Sequence, residues 1–570
     1  MSRQSLSSPS AMLGTMRLTW FSEKSLSLML LLLALLLLLV GLALPLMTML
    51  SKSVQDASGQ WIGLANFIDY FTTPALSRSI FQSFFVAMTT TLIVVSCAFL
   101  CAYGITRTRM PGKKLFRVLA LLPILAPSLL PAISLVYLFG NQGYMKGLLG
   151  DQSIYGPIGI IMGMCFWIFP HALMILTTAM ANSDARLYEA ARALKTPSWR
   201  TFLTLTLPGV RYGLISCAFV VFTLAITDFG VPAVIGGHYN VLATDIYRQV
   251  VGQQNFQMGA VVSVVLLIPA VLAFIADRWV QKKQQASLTS RAVPYQPESR
   301  PWIDGFFTVF CFAMVGIILL VIGTAIYASL IQFWPYNLSW TLQHYQFSGL
   351  AGGGWEAWSN SLKMAFSVAL IGTLFIFTTA WMIEKTRDFA PLRQSLHLMA
   401  MLPMAVPGMV LGLAYIFFFN HPLNPLNILY GTLALLVLNT LVHFYTVCHI
   451  TSITALKQLD REFESVGASL KVPFWKTYRR VTLPVSLPAV LDISVYLFVN
   501  AMTTVSAVIF LYGPETRMAS VAVLHLDEAG YFAQAAAMAV LILLTSLVVK
   551  LLHALGSHLL LSRGQAWRQA

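Results

Sequence analysis

Charged side chains are scarce in this chain of 570 residues, because Asp, Glu, Lys and Arg together make up only 10% of it. Hydrophobic residues make up 57%, and the mean hydropathy is +0.74. Soluble domains usually carry about 25% charged residues. The composition therefore excludes a soluble globular protein and predicts a chain that lives in a lipid bilayer.

Two kinds of chemical site are also missing from the sequence. The six cysteines lie in apolar stretches without the spacing of metal ligands, so we interpret them as small packing residues. A Gly-rich loop ending in Gly-Lys-Ser/Thr is absent, since the Gly-Lys pair of "MPGKK" lacks the preceding glycine. His171 and His443 are single residues in apolar stretches, which is more typical of a hydrogen bond between helices than of catalysis. Because the chain lacks this nucleotide-binding loop, any process that it drives with ATP needs another chain to hydrolyse the ATP.

Long hydrophobic runs are abundant instead. Crossing roughly 30 Å of hydrocarbon takes about 20 apolar residues, and about twelve such runs recur along the chain. The first, from about Leu26 to Leu50, is too long for the apolar part of a cleaved signal peptide. The others lie near residues 80–105, 116–140, 156–181, 209–236, 258–280, 303–331, 359–383, 392–419, 428–452, 485–512 and 533–556.

The positive charge is distributed unevenly. The formal net charge is +15, and Lys and Arg cluster in alternate loops, near residues 107–114, 186–200 and 282–300. This positive-inside pattern is typical of a multi-pass membrane protein and predicts that both termini are cytoplasmic. It explains the charge without nucleic acid, which we exclude as a partner.

The chain consists of two similar halves, separated by the polar segment "KKQQASLTSRAVPYQPESR", which predicts a linker. At an offset of 276 residues, "LKTPSWRTFLTLTLP" from Leu194 aligns with "LKVPFWKTYRRVTLP" from Leu470. The paired prolines of "LLPILAP" and "MLPMAVP" also repeat, and they predict bent helices. We therefore divide the chain into a cytoplasmic segment (1–25), a first domain (26–281), the linker (282–301), a second domain (302–560) and a cytoplasmic tail (561–570).

Each repeated segment begins with a short amphipathic helix, because apolar residues recur at i, i+3, i+4 and i+7. They are Leu187, Ala190, Ala191 and Leu194 in the first copy, and Phe463, Val466, Gly467 and Leu470 in the second. One such helix could simply seal a turn at the membrane surface. Two copies at the same topological position favour a docking element for a symmetric or pseudo-symmetric partner.

The segment "EAARALKTPSWRTFLTLTLP" resembles the EAA loop of ABC importer permeases, whose consensus is Glu-Ala-Ala, three residues, Gly, and an apolar-Leu-Pro ending. The resemblance covers the whole chain as two fused permease domains of the binding-protein-dependent type I family. It is closest to the 2-aminoethylphosphonate permeases, through "DFGVPAVIGG" and "YNVLATDIY", with ferric-iron and thiamine permeases as alternatives.

This resemblance implies an all-α polytopic fold, with two tandem six-helix domains related by a pseudo-twofold axis, in the bacterial inner membrane. The EAA loops of the family form coupling helices for two copies of a separate ATPase, which binds ATP and Mg. A periplasmic binding protein delivers the small-molecule solute. The chain itself is expected to be no enzyme and to bind no cofactor or metal.

The implied coupling residues are Glu189, Ala190, Ala191, Arg192, Leu194 and Lys195 in the first loop, and Glu464, Ser465, Val466, Gly467, Leu470 and Lys471 in the second. Lys195 and Lys471 stand where the consensus has Gly. We therefore expect that no sharp glycine turn is available and that the following proline sets the bend. Ser465 replaces the consensus Glu, with Glu464 one place earlier, which weakens an Arg-pairing role for that carboxylate.

Ionisable residues deep in a span are costly, so the few that occur are candidates for the solute pathway. Asp228 precedes a Gly and a Pro that predict a broken helix near its outer end. Asp228 is expected either to line the pathway and face a cationic or zwitterionic solute, or to cap the broken helix. Asn500 and Asp492 are weaker candidates on a similar face. The polar outer loop at 236–256 is expected to help receive the delivering protein.

Two other functions remain open. Twelve spans in two halves also describe many ion-coupled secondary transporters, although these need a buried proton or ion relay and have no use for matched docking loops. A membrane scaffold or sensor that transports no solute is the second alternative.

Overall fold

The computed structural model describes residues 23–181, 184–287, 295–347, 353–386, 388–460 and 462–564. The N-terminal segment as far as residue 22, part of the linker and the tail from residue 565 lie outside the described residues. The described chain is predominantly helical, as the composition predicts.

The helices of the first half follow one another in chain order, and short 3₁₀ and π-helical turns join several of them. They are α1 (Glu23–Leu38), α2 (Leu44–Lys52), α3 (Ala65–Thr72), α4 (Pro74–Arg107), α5 (Lys113–Ala120), α6 (Leu129–Phe139), α7 (Pro157–Ala181), α8 (Ala185–Ala193), α9 (Ser198–Thr201), α10 (Leu207–Thr227), α11 (Gly230–Ile235), α12 (Leu242–Tyr247) and α13 (Phe256–Ser287).

The second half repeats this order and adds a small antiparallel hairpin after its first span. Its elements are α14 (Pro301–Leu330), β1 (Ile331–Phe333), β2 (Asn337–Trp340), α15 (Gly354–Ser367), α16 (Thr373–Lys385), α17 (Ala390–Met401), α18 (Gly408–Phe419), α19 (Leu433–His443), α20 (Tyr445–Lys457), α21 (Glu462–Ser469), α22 (Phe474–Thr477), α23 (Leu483–Val485), α24 (Leu487–Thr503), α25 (Ala519–Glu528) and α26 (Phe532–Gly564).

The number of spans agrees with the sequence. In the described ranges, eight helical segments are long and apolar enough to cross a membrane, and the number rises to twelve if each of four bent pairs is one span. The prediction of an all-α polytopic membrane protein is therefore confirmed.

The paired prolines bend the third span of each half, as predicted. Lys113–Leu125 meets Leu129–Phe139 at 100°, and Ala390–Ala405 meets Gly408–Phe419 at 113°. Pro123 and its counterpart Pro403 each lie in a 3₁₀ turn at the break. Proline lacks the N–H that would continue the helix, so the chain turns there and leaves backbone groups that neighbouring segments must satisfy.

The two halves interlock through their first spans. The α1–α2 span packs against α16, α17 and α18 of the second half, and α14 packs in the same way against α4, α5 and α6 of the first. Tyr415 donates a hydrogen bond from its hydroxyl to the carbonyl of Gly41 at 2.7 Å. A Cβ at Gly41 would lie 2.8 Å from Val442, so glycine allows this close approach. Each half therefore completes its packing with a helix of the other.

Helix α4 shows how the spans pack against each other and against lipid. On α4, Ala87 and Ala98 are buried against neighbouring helices, whereas Phe81 and Leu92 are about 70% exposed. Lipid solvates these exposed side chains, so close packing of small residues, rather than burial from water, holds the spans together.

Candidate functional site

The first repeated segment forms a helix whose apolar face points out of the protein. In α8 the buried side chains are Ala185 and Tyr188, and Asp184 caps the helix by accepting from the backbone N–H of Arg186 at 3.1 Å. The side chains of the predicted stripe are largely exposed, with Leu187 at 56% and Leu194 at 80%. A protein does not normally leave such leucines uncovered at an aqueous surface, so this face is available to a partner.

The second segment repeats the arrangement. In α21, Phe463, Val466 and Leu470 are 45%, 56% and 70% exposed, respectively. Ser465 and Glu189, which flank the stripes of the two helices, are also exposed. If each bent pair is one span, α8 and α21 both follow the fourth span of their half. An even number of spans separates them, so they lie on the same side of the membrane.

Both helices end in a left-handed turn, which corrects the expectation that such a turn is unavailable. Lys195 and Lys471 have φ of 51°, in the region that glycine favours. The backbone N–H of Thr196 donates to the carbonyl of Ala191 at 2.9 Å, and that of Lys195 to Arg192 at 2.8 Å. These bonds form a Schellman motif, in which two carbonyls of the last turn are satisfied. The lysine itself adopts the turn, and the proline two residues later follows it.

A basic residue at the end of the second span holds each helix in place. In the first half, the guanidinium of Arg107 lies 4.6 Å from the ring centroid of Tyr188. In the second half, the ammonium of Lys385 lies 3.5 Å from the carboxylate of Glu464 and donates to the carbonyl of Leu459 at 2.9 Å. Tyr188 and Glu464 are equivalent at the 276-residue offset. Glu464 therefore takes the position of Tyr188 rather than that of Glu189, and its partner lies within the chain.

A cavity of about 270 Å³ lies between the two halves. Its wall comes from the broken third spans, the fourth and fifth spans, and the segments that follow the fifth spans. The residues of this wall with polar or ionisable side chains are Ser128, Trp167, His171, Thr223, Thr227, Asp228, His443, Thr446, Tyr496, Asn500, Thr503, Thr504 and Ser506.

Asp228 is both a helix cap and part of the cavity wall. Helix α10 ends at Thr227, and the Asp228 carboxylate accepts a hydrogen bond from the backbone N–H of Val231 at 3.1 Å, at the start of α11. Only 9% of the residue is exposed, and this part faces the cavity. The two sequence interpretations of Asp228 are therefore compatible.

The two weaker candidates lie in different places. Asn500 lines the cavity and donates from its amide to the carbonyl of Tyr496 at 2.7 Å. The carboxylate of Asp492 lies instead 3.3 Å from His553 Nε2 on α26 and is not among the residues that line the cavity. Of these two candidates, the structure places only Asn500 in the cavity wall.

Two histidines of the cavity wall were not predicted as site residues. His171 lies on α7 and His443 at the end of α19, one in each half. At the 276-residue offset, His443 aligns with Trp167 and His171 with Val447, and all four residues line the cavity. Trp167 and His171 are spaced i, i+4 on α7, and His443 and Val447 have the same spacing across the bend between α19 and α20. Alignment of the halves could have revealed that the two histidines share a face, whereas each alone resembles a packing residue.

The outer loop at 236–256 is more buried than predicted. Leu242, Ala243 and Ile246 of α12 are fully buried, and the hydroxyl of Ser83 accepts from the backbone N–H of Leu242 at 2.8 Å. Part of this segment, around α12, is thus built into the protein, whereas residues 251–255 remain exposed.

No ready-made metal centre is found in the described part of the chain, where no group of three or more His, Cys, Asp or Glu side chains is arranged to hold a metal ion. All six cysteines are free.

Known proteins are similar to both halves. The ferric transport system permease protein FbpB of Actinobacillus pleuropneumoniae is 28% identical over 81% of this chain and 68% of its own length. The Fe(3+)-transport system permease protein FbpB 2 of Haemophilus influenzae is 23% identical over 90% of this chain and 95% of its own length. Sulfate permease 2 of Chlamydomonas reinhardtii is 26% identical over 31% of this chain and 48% of its own length. Two of these three relatives are named as ferric permeases and one as a sulfate permease, and none of the three is named as a 2-aminoethylphosphonate permease.

One family model accounts for both repeats. The model of the binding-protein-dependent transport system inner membrane component matches residues 94–285 and again residues 376–557. Each match runs from within the second span of one half to its sixth span and includes α8 or α21. The chain therefore belongs to the family of binding-protein-dependent transport system inner membrane components.

Proposed function

We propose that this chain is the translocation subunit of an ATP-driven importer that takes ferric iron from a periplasmic binding protein. The family implies a binding protein and an ATPase as partners, and the relatives with the longest coverage given above are named as ferric permeases. The observation that carries the choice of solute is the chemistry of the cavity between the halves.

The cavity offers ligands for a cation and no counter-charge for an anion. Asp228 supplies a carboxylate, His171 and His443 supply imidazoles, and Asn500 supplies an amide, while no Lys or Arg occurs among the described residues of the wall. Carboxylate oxygen and imidazole nitrogen both suit iron. A phosphonate or sulfate would enter this low-dielectric space beside a carboxylate and without a basic partner, which is unfavourable. Among the described residues, no three His, Cys, Asp or Glu side chains are arranged to hold a metal ion. The iron would therefore pass through the cavity without being held at a fixed site.

The exposed faces of α8 and α21 are the proposed docking sites for two ATPase copies, which bind ATP and Mg. Leu187, Leu194, Phe463 and Leu470 would enter apolar clefts of these partners. Closure of the ATPases would draw the two helices together and turn the cavity from one side of the membrane to the other. Shifting such an equilibrium from about 1:99 to 99:1 requires roughly 5.5 kcal/mol of differential binding.

The orientation follows from the charge pattern. Lys and Arg cluster on the side that carries α8, α21 and the linker, so we place this side and both termini in the cytoplasm. The break after α10 and the buried loop at α12 then lie toward the periplasm, where the binding protein would dock.

Reconstitution tests the proposal. The chain is purified with the ATPase and the binding protein encoded beside it, placed in vesicles, and supplied with ⁵⁵Fe(III), 2-aminoethylphosphonate or sulfate in parallel. Iron uptake that requires both ATP and the binding protein supports the proposal. Uptake of an anion but not of iron would refute the ferric assignment, and iron uptake that persists without ATP would favour an ion-coupled carrier.

A further inference from the structure

The described end of the linker, residues 295–300, lies on α8 and is called the linker strap below. The ring of Tyr295 lies 4.8 Å from the ring of Tyr188, between centroids. The carboxylate of Glu298 accepts a hydrogen bond from the guanidinium of Arg192 at 2.6 Å. The linker strap therefore contacts both the buried face of the first coupling helix and one of its predicted docking residues.

Further contacts fix the two ends of the linker strap. Arg109 donates from Nε to the carbonyl of Pro297 at 2.8 Å, and Arg300 donates to the hydroxyl of Ser198 just after α8. The carboxylate of Asp304, in the first turn of α14, accepts from the backbone N–H of Arg109 at 2.9 Å and of Arg300 at 3.0 Å. The strap thus joins α8 to the end of α4 and to the start of α14.

A buried cation lies at the centre of this cluster. The guanidinium of Arg107 is 4.6 Å from the ring centroid of Tyr188 and 4.5 Å from that of Tyr295, and the residue is 8% exposed. Burial strengthens a cation–π contact, whereas an ion pair that is half exposed, such as Arg192 with Glu298, adds little by itself. The strap is therefore held mainly by the contacts of Arg107 with the two rings, which are tilted by 58° to each other, and the ion pair adds a second contact with α8.

The second half holds its coupling helix differently. Lys385 and Glu464 form one ion pair between α16 and α21. Among the residues for which the structure gives positions, no linker segment crosses α21. The two coupling helices therefore share a fold and a turn but differ in what lies beside them.

We propose that the linker strap and α8 form one composite docking surface for an ATPase subunit, whereas α21 receives its ATPase copy without a linker contribution. This inference rests on the proposed function. Arg192, Glu298 and Arg300 are each a little under half exposed, so they remain accessible beside the apolar stripe. The partner that fits has an apolar cleft for Leu187 and Leu194, with a charged rim that meets the strap.

The linker strap also connects the first docking site to a membrane span, so that a movement of α8 is transmitted to α14. A displacement of α8 pulls on Asp304 through the strap, and Asp304 begins α14. Helix α14 packs along α6, which starts beside Ser128 in the cavity wall. The first ATPase site therefore acts on the cavity through α14 as well as through α10, whereas in the part of the chain that the structure describes no linker segment joins α21 to a span.

Site-specific cross-linking tests this asymmetry. In a chain whose six cysteines are replaced by alanine, a single cysteine at Leu194→Cys or Leu470→Cys is cross-linked to the ATPase subunit in the assembled complex. Glu298→Arg is expected to lower cross-linking from position 194 at least fivefold and to leave position 470 unchanged. Adding Arg192→Glu restores the ion pair with reversed charges and is expected to restore cross-linking to within twofold.

A second pair of variants separates the role of the ring from that of the charge. Tyr295→Ala is expected to lower cross-linking from position 194 alone, and Tyr295→Phe, which keeps the ring beside Arg107 and Tyr188, is expected to have no effect. Size-exclusion chromatography checks that each complex assembles. Equal loss at both positions, no loss at either, or failure of the reversed pair to recover overturns the inference while leaving the proposed function intact. If neither cysteine cross-links with the natural linker, the proposed coupling role of the helices fails first, and the inference fails with it.

Discussion

The side chain of Ser128 fills the space beside Gly230, so that a Cβ at position 230 would overlap the serine hydroxyl. The equivalent contact in the second half is between Gly408 and Ser506. There the glycine lies at the break in the third span and the serine follows the fifth span, which is the reverse of the first half. Both contacts join the break in the third span to the segment after the fifth span, and all four residues line the cavity. Each half therefore keeps one glycine at this close approach, but on opposite partners.

This exchange predicts that stability requires one glycine and one serine at the contact, and that either position can hold the glycine. Gly230→Ser alone is expected to destabilise the protein, because its Cβ would overlap Ser128 in a packed wall, and overpacking typically costs about 1–3 kcal/mol. The double variant Ser128→Gly with Gly230→Ser copies the arrangement of the second half and is expected to recover most of the loss. After the exchange, the nearest remaining atom is the backbone nitrogen of Leu129 at 3.5 Å, which is an ordinary contact.

Thermal unfolding of the purified chain in detergent measures both effects. The matched pair is Gly408→Ser, alone and with Ser506→Gly. Recovery there should be poorer, because the backbone nitrogen of Ala507 is 3.1 Å from the new Cβ. If Gly230→Ser is tolerated without Ser128→Gly, the steric argument is wrong.

Replacing Lys195 with glycine is expected to stabilise the end of the first coupling helix. A non-glycine residue in the left-handed region costs about 1–2 kcal/mol, and Lys195 has φ of 51°. Allowing for the greater freedom of glycine in the open state, we expect a net gain of about 1 kcal/mol, or roughly fivefold slower hydrogen exchange at the Thr196 amide. Lys471→Gly should act in the same way on Val472.

Leu194→Gly provides the control for this prediction. Leu194 has φ of −81°, so glycine relieves no strain there and should speed exchange. Faster exchange in Lys195→Gly, or equal effects at positions 194 and 195, would contradict the prediction.

The sequence predicted the fold well where local physics decides the structure. Long apolar runs predicted the spans, and the paired prolines predicted the two sharpest breaks, because each effect depends only on nearby residues. Helices α8 and α21 were found from their 3.6-residue period. Their anchors were not, since Arg107 meets Tyr188 and Lys385 meets Glu464 across about 80 residues of chain, and nothing local marks such a contact.

The site was predicted only in part for the same reason. Asp228 and Asn500 were found because polar groups in a span are rare. Asp492 is equally rare but faces His553, since the direction of a side chain on a helix depends on which neighbour packs there. The left-handed backbone conformation of Lys195 and Lys471 was not predicted, because glycine was assumed to be required at these positions. Two backbone hydrogen bonds of the last helical turn instead hold Lys195 in that conformation.

The ion pair between Lys385 and Glu464 is expected to stabilise the second coupling helix measurably. The Lys385 side chain is 3% exposed, so removal of its partner leaves a buried ammonium with a carbonyl as its remaining hydrogen-bond acceptor. A double-mutant cycle with Lys385→Met and Glu464→Gln should give a coupling of about 1–2 kcal/mol in the opening free energy of α21 from hydrogen exchange. The exposed pair Asp184 and Arg186 should give less than about 0.5 kcal/mol. Additive effects of the two substitutions on α21 would show that this pair does not anchor the helix.

Removal of the charge of Asp228 is expected to reduce iron transport without unfolding the protein. In Asp228→Asn the side-chain oxygen can still accept from the N–H of Val231, so the cap of α11 is kept while the single carboxylate among the described residues of the cavity wall is lost. We expect ATP-dependent ⁵⁵Fe(III) uptake to fall at least tenfold, with the thermal unfolding temperature nearly unchanged. Asp228→Ala should lose both uptake and stability, because it also removes the cap, which contributes about 1 kcal/mol.

The pseudo-symmetry of the chain supplies the control that decides between charge and structure. Thr504 is the equivalent of Asp228 in the second half and lines the same cavity. If the cavity requires a negative charge, Thr504→Asp in the Asp228→Asn background should restore part of the uptake, because the carboxylate returns to the wall from the other side. Thr504→Asn in that background has a similar size without the charge and should restore none. Unchanged uptake and unchanged iron affinity in Asp228→Asn would show that the carboxylate serves only as a cap, and the cavity would then offer no electrostatic reason to prefer a cation.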